Sequence, residues 1–154
     1  MPPADATLAL LRRALLATYL FGAVGTAVEL VLLEHYDDPW QWTPIALLGA
    51  SLLVLAWRAA RRGRPGERAS VRAFRATMLV FAASGALGTL LHYRGNVEFE
   101  RERQPSLGGL ALFWEAMRGA TPALAPGTMI QLGLVGLAYT FRHPALAPRE
   151  AAKR

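Results

Sequence analysis

The chain has 154 residues, 53% of them hydrophobic and 18% charged, with no cysteine and a formal net charge of +6. That length allows one domain, residues 1–154, and the missing thiols exclude disulfide scaffolds, cysteine nucleophiles, thiolate zinc sites and iron–sulfur clusters, leaving imidazole, carboxylate or amide groups for any metal. An excess of 17 basic over 11 acidic residues would point to nucleic acid in a soluble domain, but the segregation of the charges along the chain points to a lipid bilayer as partner and not to nucleic acid.

Arg12 and Arg13 precede the first of four long apolar stretches, Ala14 to Leu33, in which Glu29 is the only charge. A crossing needs about 20 apolar residues at about 1.5 Å rise each, and spans are expected at about 14–33, 39–58, 75–93 and 122–141. The first run is too long for a cleaved signal peptide and has no small-residue cleavage site before the acidic EHYDD, so it is expected to be retained. In the short connection EHYDDPWQWTP, Trp40 and Trp42 suit a membrane–water boundary, where amphipathic indoles settle. Seven arginines (Arg58, Arg61, Arg62, Arg64, Arg68, Arg72 and Arg75) crowd residues 58–75. That stretch reads as a solvated basic tether facing anionic lipid, too charged and glycine-broken to form a core. The segment 94–121 is longer than a plain connection. There Ser106 is expected to cap a short helix with Leu107, Leu110, Phe113, Trp114 and Met117 on one side, lying flat in the outer interface.

Arg142, Arg149, Lys153 and Arg154 follow the fourth run. Basic residues collect on the cytoplasmic side of membrane proteins, so both termini and residues 58–75 are expected inside, with the acidic connections outside. Sixteen arginines against one lysine fit a GC-rich bacterial genome. A soluble bundle would show polar stripes at helical period, whereas these spans are apolar all round. The expected fold is therefore all-α: a multi-pass four-helix bundle of the bacterial inner membrane, with an interfacial helix between spans three and four.

The two halves resemble each other. Arg12, Leu16, Gly22, Ala23, Gly25 and Thr26 match Arg75, Leu79, Gly85, Ala86, Gly88 and Thr89 at an offset of 63, and Pro44, Leu52, Leu55, Ala56 and Trp57 match Pro126, Leu134, Leu137, Ala138 and Tyr139 at an offset of 82. This reads as two tandem helical hairpins in parallel orientation. Gly22, Gly25, Thr26 and Glu29 share one helix face, as do Gly85, Gly88, Thr89 and His92, and small faces of this kind let helices approach closely in lipid. Packing the two together would place Glu29 beside His92 near the outer end, with Thr128 and Gln131 at a similar depth.

An ionisable group within a span costs up to about 2.5–3.5 kcal/mol at the centre, so Glu29 needs an offset. The functional reading is a ligand site of Glu29, His92, Gln131 and Thr128 for a metal ion, haem, a quinone or another small lipophilic molecule. The structural reading is an interhelical hydrogen bond that fixes the pairing of spans one and three. A metal would draw on Glu29, His35, His92 and Glu98, mixed nitrogen and oxygen donors suited to zinc, manganese, iron or copper. His35 is expected about 9 Å further out than Glu29, which separates it from His92 and disfavours a haem between the two imidazoles. No nucleophile–base spacing, P-loop or dinucleotide fingerprint occurs, because GAVG and GALG lie inside spans, and no catalytic residue is assigned. The leading expectation is thus a small membrane protein binding a ligand between spans one and three. The alternatives are an accessory or assembly subunit docking on a larger membrane complex through its outer loops, and a proton-coupled transporter built on Glu29.

Overall fold

The computed structural model describes residues 4–119 and 122–147, and there the chain is helical throughout its regular structure. Arg149, Lys153 and Arg154 lie outside the described residues. Five α-helices follow in order: α1 Ala4–Leu32, α2 Pro39–Arg61, α3 Glu67–Arg103, α4 Gly109–Met117 and α5 Gly127–Thr140, then a 3-10 turn at Pro144–Leu146. The first three are long and apolar enough to cross a membrane.

Local chemistry sets the boundaries. At the start of α2, Asp38 is the N-cap, and its Oδ1 accepts from the amides of Trp40 at 2.7 Å and Gln41 at 3.1 Å. Pro39 occupies the first helical position, where no amide proton is needed, and Gln41 Oε1 reaches back to the Asp37 amide at 2.8 Å. The α1–α2 hairpin is thereby locked by five consecutive residues, 37–41. Gly66, with φ +95°, caps α3 in a conformation that disfavours any side chain.

Two departures from the sequence reading concern α3 and α5. With 37 residues, α3 is about 55 Å long and takes in both the end of the expected basic tether and the start of the expected outer insertion. Ser70, Val71 and Phe74 are fully buried, while Arg72 and Arg75 between and beside them are exposed. The arginines therefore occupy one face of a helix whose other face belongs to the core. The linker between α2 and α3 shrinks to residues 62–66. At the other end of the chain, α5 has 14 residues, about 21 Å of helix against a hydrocarbon thickness of about 30 Å. Pro122 and Pro126 lack amide protons, and residues 123–126 form successive turns rather than helix.

The core runs through Tyr19, Leu48, Phe74, Met78, Phe81, Leu132 and Tyr139. Its spine is aromatic: Tyr139 meets Phe74 edge-on at 5.8 Å, Phe74 meets Tyr19 edge-on at 5.3 Å, and Tyr19 reaches Phe81 at 6.3 Å. Edge-to-face pairs at these separations add about 0.5–1.5 kcal/mol beyond their buried area. Outside this spine the surface is apolar, with Phe21 85%, Leu32 77% and Leu53 72% exposed, a surface suited to hydrocarbon rather than water.

The small residues serve α5 instead of joining α1 to α3. A Cβ on Gly22 would meet Leu132, and Cβ atoms on Gly85 and Gly88 would meet Pro126, with Ile130 also against Gly85. From the α5 side, Gly133 backs onto the Met78 carbonyl and Gly136 onto the Met78 side chain. The α1 and α3 glycine faces thus receive a third helix, and across the centre the two long helices meet through large rings.

Candidate functional site

The acidic end gathers the expected site residues, and the structure sorts them. Helix α1 stops in a cap in which the His35 amide donates to the Leu30 carbonyl at 2.9 Å while Glu34 takes φ +52°. That is a Schellman-type ending with a non-glycine residue at the left-handed position, costing roughly 1–2 kcal/mol. The reversal swings His35 back toward α3, so that its ring centroid lies 6.4 Å from that of His92. The expectation that His35 stands apart from His92 assumed a continuing helix, and the cap overturns it.

His92 projects from α3, and its Nδ1 lies 3.2 Å from the Pro122 carbonyl oxygen. A carbonyl can only accept, so Nδ1 carries the proton and the neutral ring presents its lone pair at Nε2. Metal-binding histidines are commonly oriented by this kind of bond to a backbone carbonyl. Two imidazoles on one tetrahedral ion, with metal–nitrogen bonds of about 2.0–2.1 Å, have centroids about 5 Å apart. The observed pair is about 1 Å wider, an open lip rather than a closed chelate.

The other expected partners are not drawn in. Glu29 is exposed on α1, on the face that carries Phe21, Val24, Gly25, Val28 and Leu32, and a Cβ at Gly25 would meet nothing within 4 Å. The packing of the two glycine faces expected to bring Glu29 beside His92 is not what Gly22, Gly85 and Gly88 do, since α5 and its leading turn lie against them. Thr128 and Gln131 are exposed on α5, and Glu98 is exposed on the α3 extension. Among the described residues, no group of three or more histidine and carboxylate side chains is placed to hold a metal ion.

Helix α4 completes this end. Its N-cap is Gly108, not Ser106, which sits in a turn. Leu112 and Ala116 are its buried side, whereas Leu110 and Trp114 stay more than half exposed. Asn96 of α3, 4% exposed, donates through Nδ2 to the Ala116 carbonyl at 2.8 Å. A buried polar bond, absent from the sequence reading, thus ties α4 to the part of α3 beyond its apolar run. The apolar stripe expected along α4 is its outward face.

His143 lies at the opposite, arginine-rich end, where it is 7% exposed. Its Nδ1 accepts from the Ala145 amide at 3.2 Å, capping the 3-10 turn, and its Nε2 is 3.1 Å from Arg58 Nη2. Burial first, then the nearby charges of Arg58 and Arg12, hold its pKa below the ordinary histidine range, with Glu67 opposing. The only clue to this position in the sequence is the His-Pro pair, a capping residue followed by proline.

Comparison with protein-family models, with curated proteins and with solved structures finds no match.

Proposed function

We propose that this chain is an integral protein of the bacterial inner membrane that crosses four times and binds a small ligand, with a transition-metal ion as the first candidate, at its acidic end. The fourth crossing is α5 extended by the turns at 123–126, the two hairpins α1–α2 and α3–α5 are the halves of the repeat, and both termini lie on the cytoplasmic, arginine-rich side. One observation carries the ligand reading: His35 and His92 stand ring to ring at 6.4 Å, with the His92 tautomer set by Pro122 so that Nε2 is an acceptor. Solvent or the ligand's own donors complete the set, as in open metal sites.

The test uses the full chain in mild detergent. Elemental analysis and absorption spectra of the purified protein, followed by titration with cobalt(II), should give one ion per chain. His35→Ala and His92→Ala should each lose it, while His143→Ala, at the far end, retains it. No bound ion at any concentration up to millimolar, or undiminished binding in His92→Ala, overturns the metal reading. Mass spectrometry of a lipid extract then decides whether a quinone or similar molecule occupies the lip.

A second reading, an accessory subunit of a larger membrane complex, is favoured by Glu29. A carboxylate on an otherwise apolar exposed helix face, beside the uncovered Gly25, is expensive against lipid and suits a partner helix bearing a hydrogen-bond donor. Purification from mild detergent tests it: a stoichiometric partner lost on Glu29→Leu supports the reading, and a chain that runs alone refutes it.

A further inference from the structure

At the arginine-rich end, segments far apart in sequence converge on a cavity of about 320 Å³ whose lining includes Arg12 and Arg13 of α1, Arg58 of α2 and Arg62 at its C-cap, Tyr139 of α5 and the buried His143. Its polar side chains are mostly donors, set against one carboxylate, and Ala9, Leu16, Pro144 and Ala145 make up the rest of the wall. The Nε atoms of Arg12 and Arg58 and the hydroxyl of Tyr139 are buried and lack any hydrogen-bond partner. Tyr139 itself is only 2% exposed. Glu67, the one carboxylate at the cavity, is engaged by the Gly63 amide at 2.9 Å. Among the described residues, the ion pairs are Glu100–Arg103 and Glu115–Arg118, so none of the four arginines is ion-paired at the cavity, which they share with a single carboxylate.

The histidine sharpens the point. Its Nδ1 already accepts the Ala145 amide proton, so a neutral ring carries its proton on Nε2. That N–H then faces the guanidinium N–H of Arg58 across 3.1 Å, donor against donor. Leaving buried donors unsatisfied costs about 1–3 kcal/mol each, more for charged groups. The conflict disappears if an acceptor with several oxygens takes protons from both. A carboxylate offers two oxygens, whereas a phosphate offers enough to serve Arg12, Arg58, His143 and Tyr139 together. Burial first, and then the charges of Arg58 and Arg12 beside it, keep the His143 ring from charging.

From this geometry we infer that the cavity is an anion site for a phosphate group, supplied either by the headgroup of an anionic phospholipid or by free phosphate. Basic pockets between helices at the cytoplasmic surface recognise lipid headgroups by the same chemistry. The apolar Ala9 and Leu16 on its α1 wall are compatible with a lipid whose chains run down the outside of α1. This site is independent of the histidine lip at the other end.

The experiment measures thermal unfolding of the full chain against three probes: inorganic phosphate in detergent with chloride at matched ionic strength as control, nanodiscs of pure phosphatidylcholine, and nanodiscs containing phosphatidylglycerol. Stabilisation by inorganic phosphate beyond chloride assigns free phosphate. Stabilisation by phosphatidylglycerol alone, with that lipid retained on the protein in native mass spectrometry, assigns the headgroup. In either case Arg58→Gln and Tyr139→Phe should weaken binding at least tenfold, and Arg75→Gln, an exposed arginine outside the cavity, should leave it unchanged. If Arg58→Gln does not fold, Tyr139→Phe, which removes one hydroxyl, decides the matter. Indifference of the wild-type chain to all three probes, or equal weakening by Arg75→Gln, overturns the inference.

Discussion

Alanine substitutions at three glycines separate close packing from an open helix face. At Gly85 a Cβ would sit 2.8 Å from the Ile130 amide nitrogen and the Pro126 carbonyl oxygen, and at Gly133 it would sit 2.8 Å from the Met78 carbonyl oxygen. These neighbours are backbone atoms of the facing helix or its cap and cannot rotate away, so α3 and α5 must move apart by roughly half an ångström. Overpacking of this kind costs about 1–3 kcal/mol, and the gain of replacing glycine by alanine within a helix returns about 0.5–1 kcal/mol. Gly85→Ala and Gly133→Ala should therefore each destabilise the chain, by up to about 2 kcal/mol. At Gly25 nothing lies within 4 Å, so only the helix term remains and Gly25→Ala should be neutral or stabilising by up to about 1 kcal/mol. Tryptophan fluorescence during titration from a mild detergent into SDS gives the unfolding midpoints. Gly85→Ala and Gly133→Ala at the wild-type midpoint, or Gly25→Ala falling with them, would refute the assignment of α5 as the helix that fills the glycine faces.

Three further outcomes follow from the described contacts. Asn96→Leu removes the donor to the Ala116 carbonyl and should cost about 1–3 kcal/mol, with faster hydrogen exchange over 109–117 and unchanged protection around Phe74 to Phe81; unaltered exchange in α4 would count against the tether. Asp38→Ala strips two amides of their acceptor at the start of α2 and should cost about 0.5–2 kcal/mol, most of it recovered in Asp38→Asn; equal losses in the two variants would discount capping. Because burial, Arg58 and Arg12 hold the His143 pKa below the ordinary 6.5, the unfolded chain takes up a proton before the native one does. This contribution to stability is full above pH about 6.5 and is lost as the pH falls toward the lower native pKa. In phosphate-free buffer, the melting temperature of the wild type should drop over that window and that of His143→Gln should drop less; identical acid slopes would remove His143 from the account.

Much of the architecture is legible locally. The long apolar runs around Glu29, after Pro39 and before His92 are helices in the structure, each long and apolar enough to cross a membrane, because run length and composition are properties of the segment itself. Asp38, Pro39 and Gln41 set their helix start through adjacent backbone alone, a local signal that the reading of this connection as an acidic boundary loop did not use. The short helix expected between the third and fourth apolar runs exists as α4, although its N-cap moves to Gly108 and its buried side is Leu112 and Ala116. The extension of α3 through residues 67–74 was hidden because Glu67, Arg68 and Arg72 continue the charged, glycine-broken run before them, whereas burial depends on which face each residue occupies.

Partnership was a different matter. A stripe of small residues states that some helix comes close without saying which, so Gly22, Gly85 and Gly88 read equally well as facing one another or as facing α5. His35 was misplaced by a single backbone reversal at Glu34. Arg12, Arg58, Tyr139 and His143 each look unexceptional along the chain, since their shared property, an excess of buried donors over acceptors, exists only where the four segments meet. Hydropathy and capping act over a few residues and are written in the sequence. Neighbour choice depends on the balance of many weak contacts between distant helices, and the tertiary structure alone decided it.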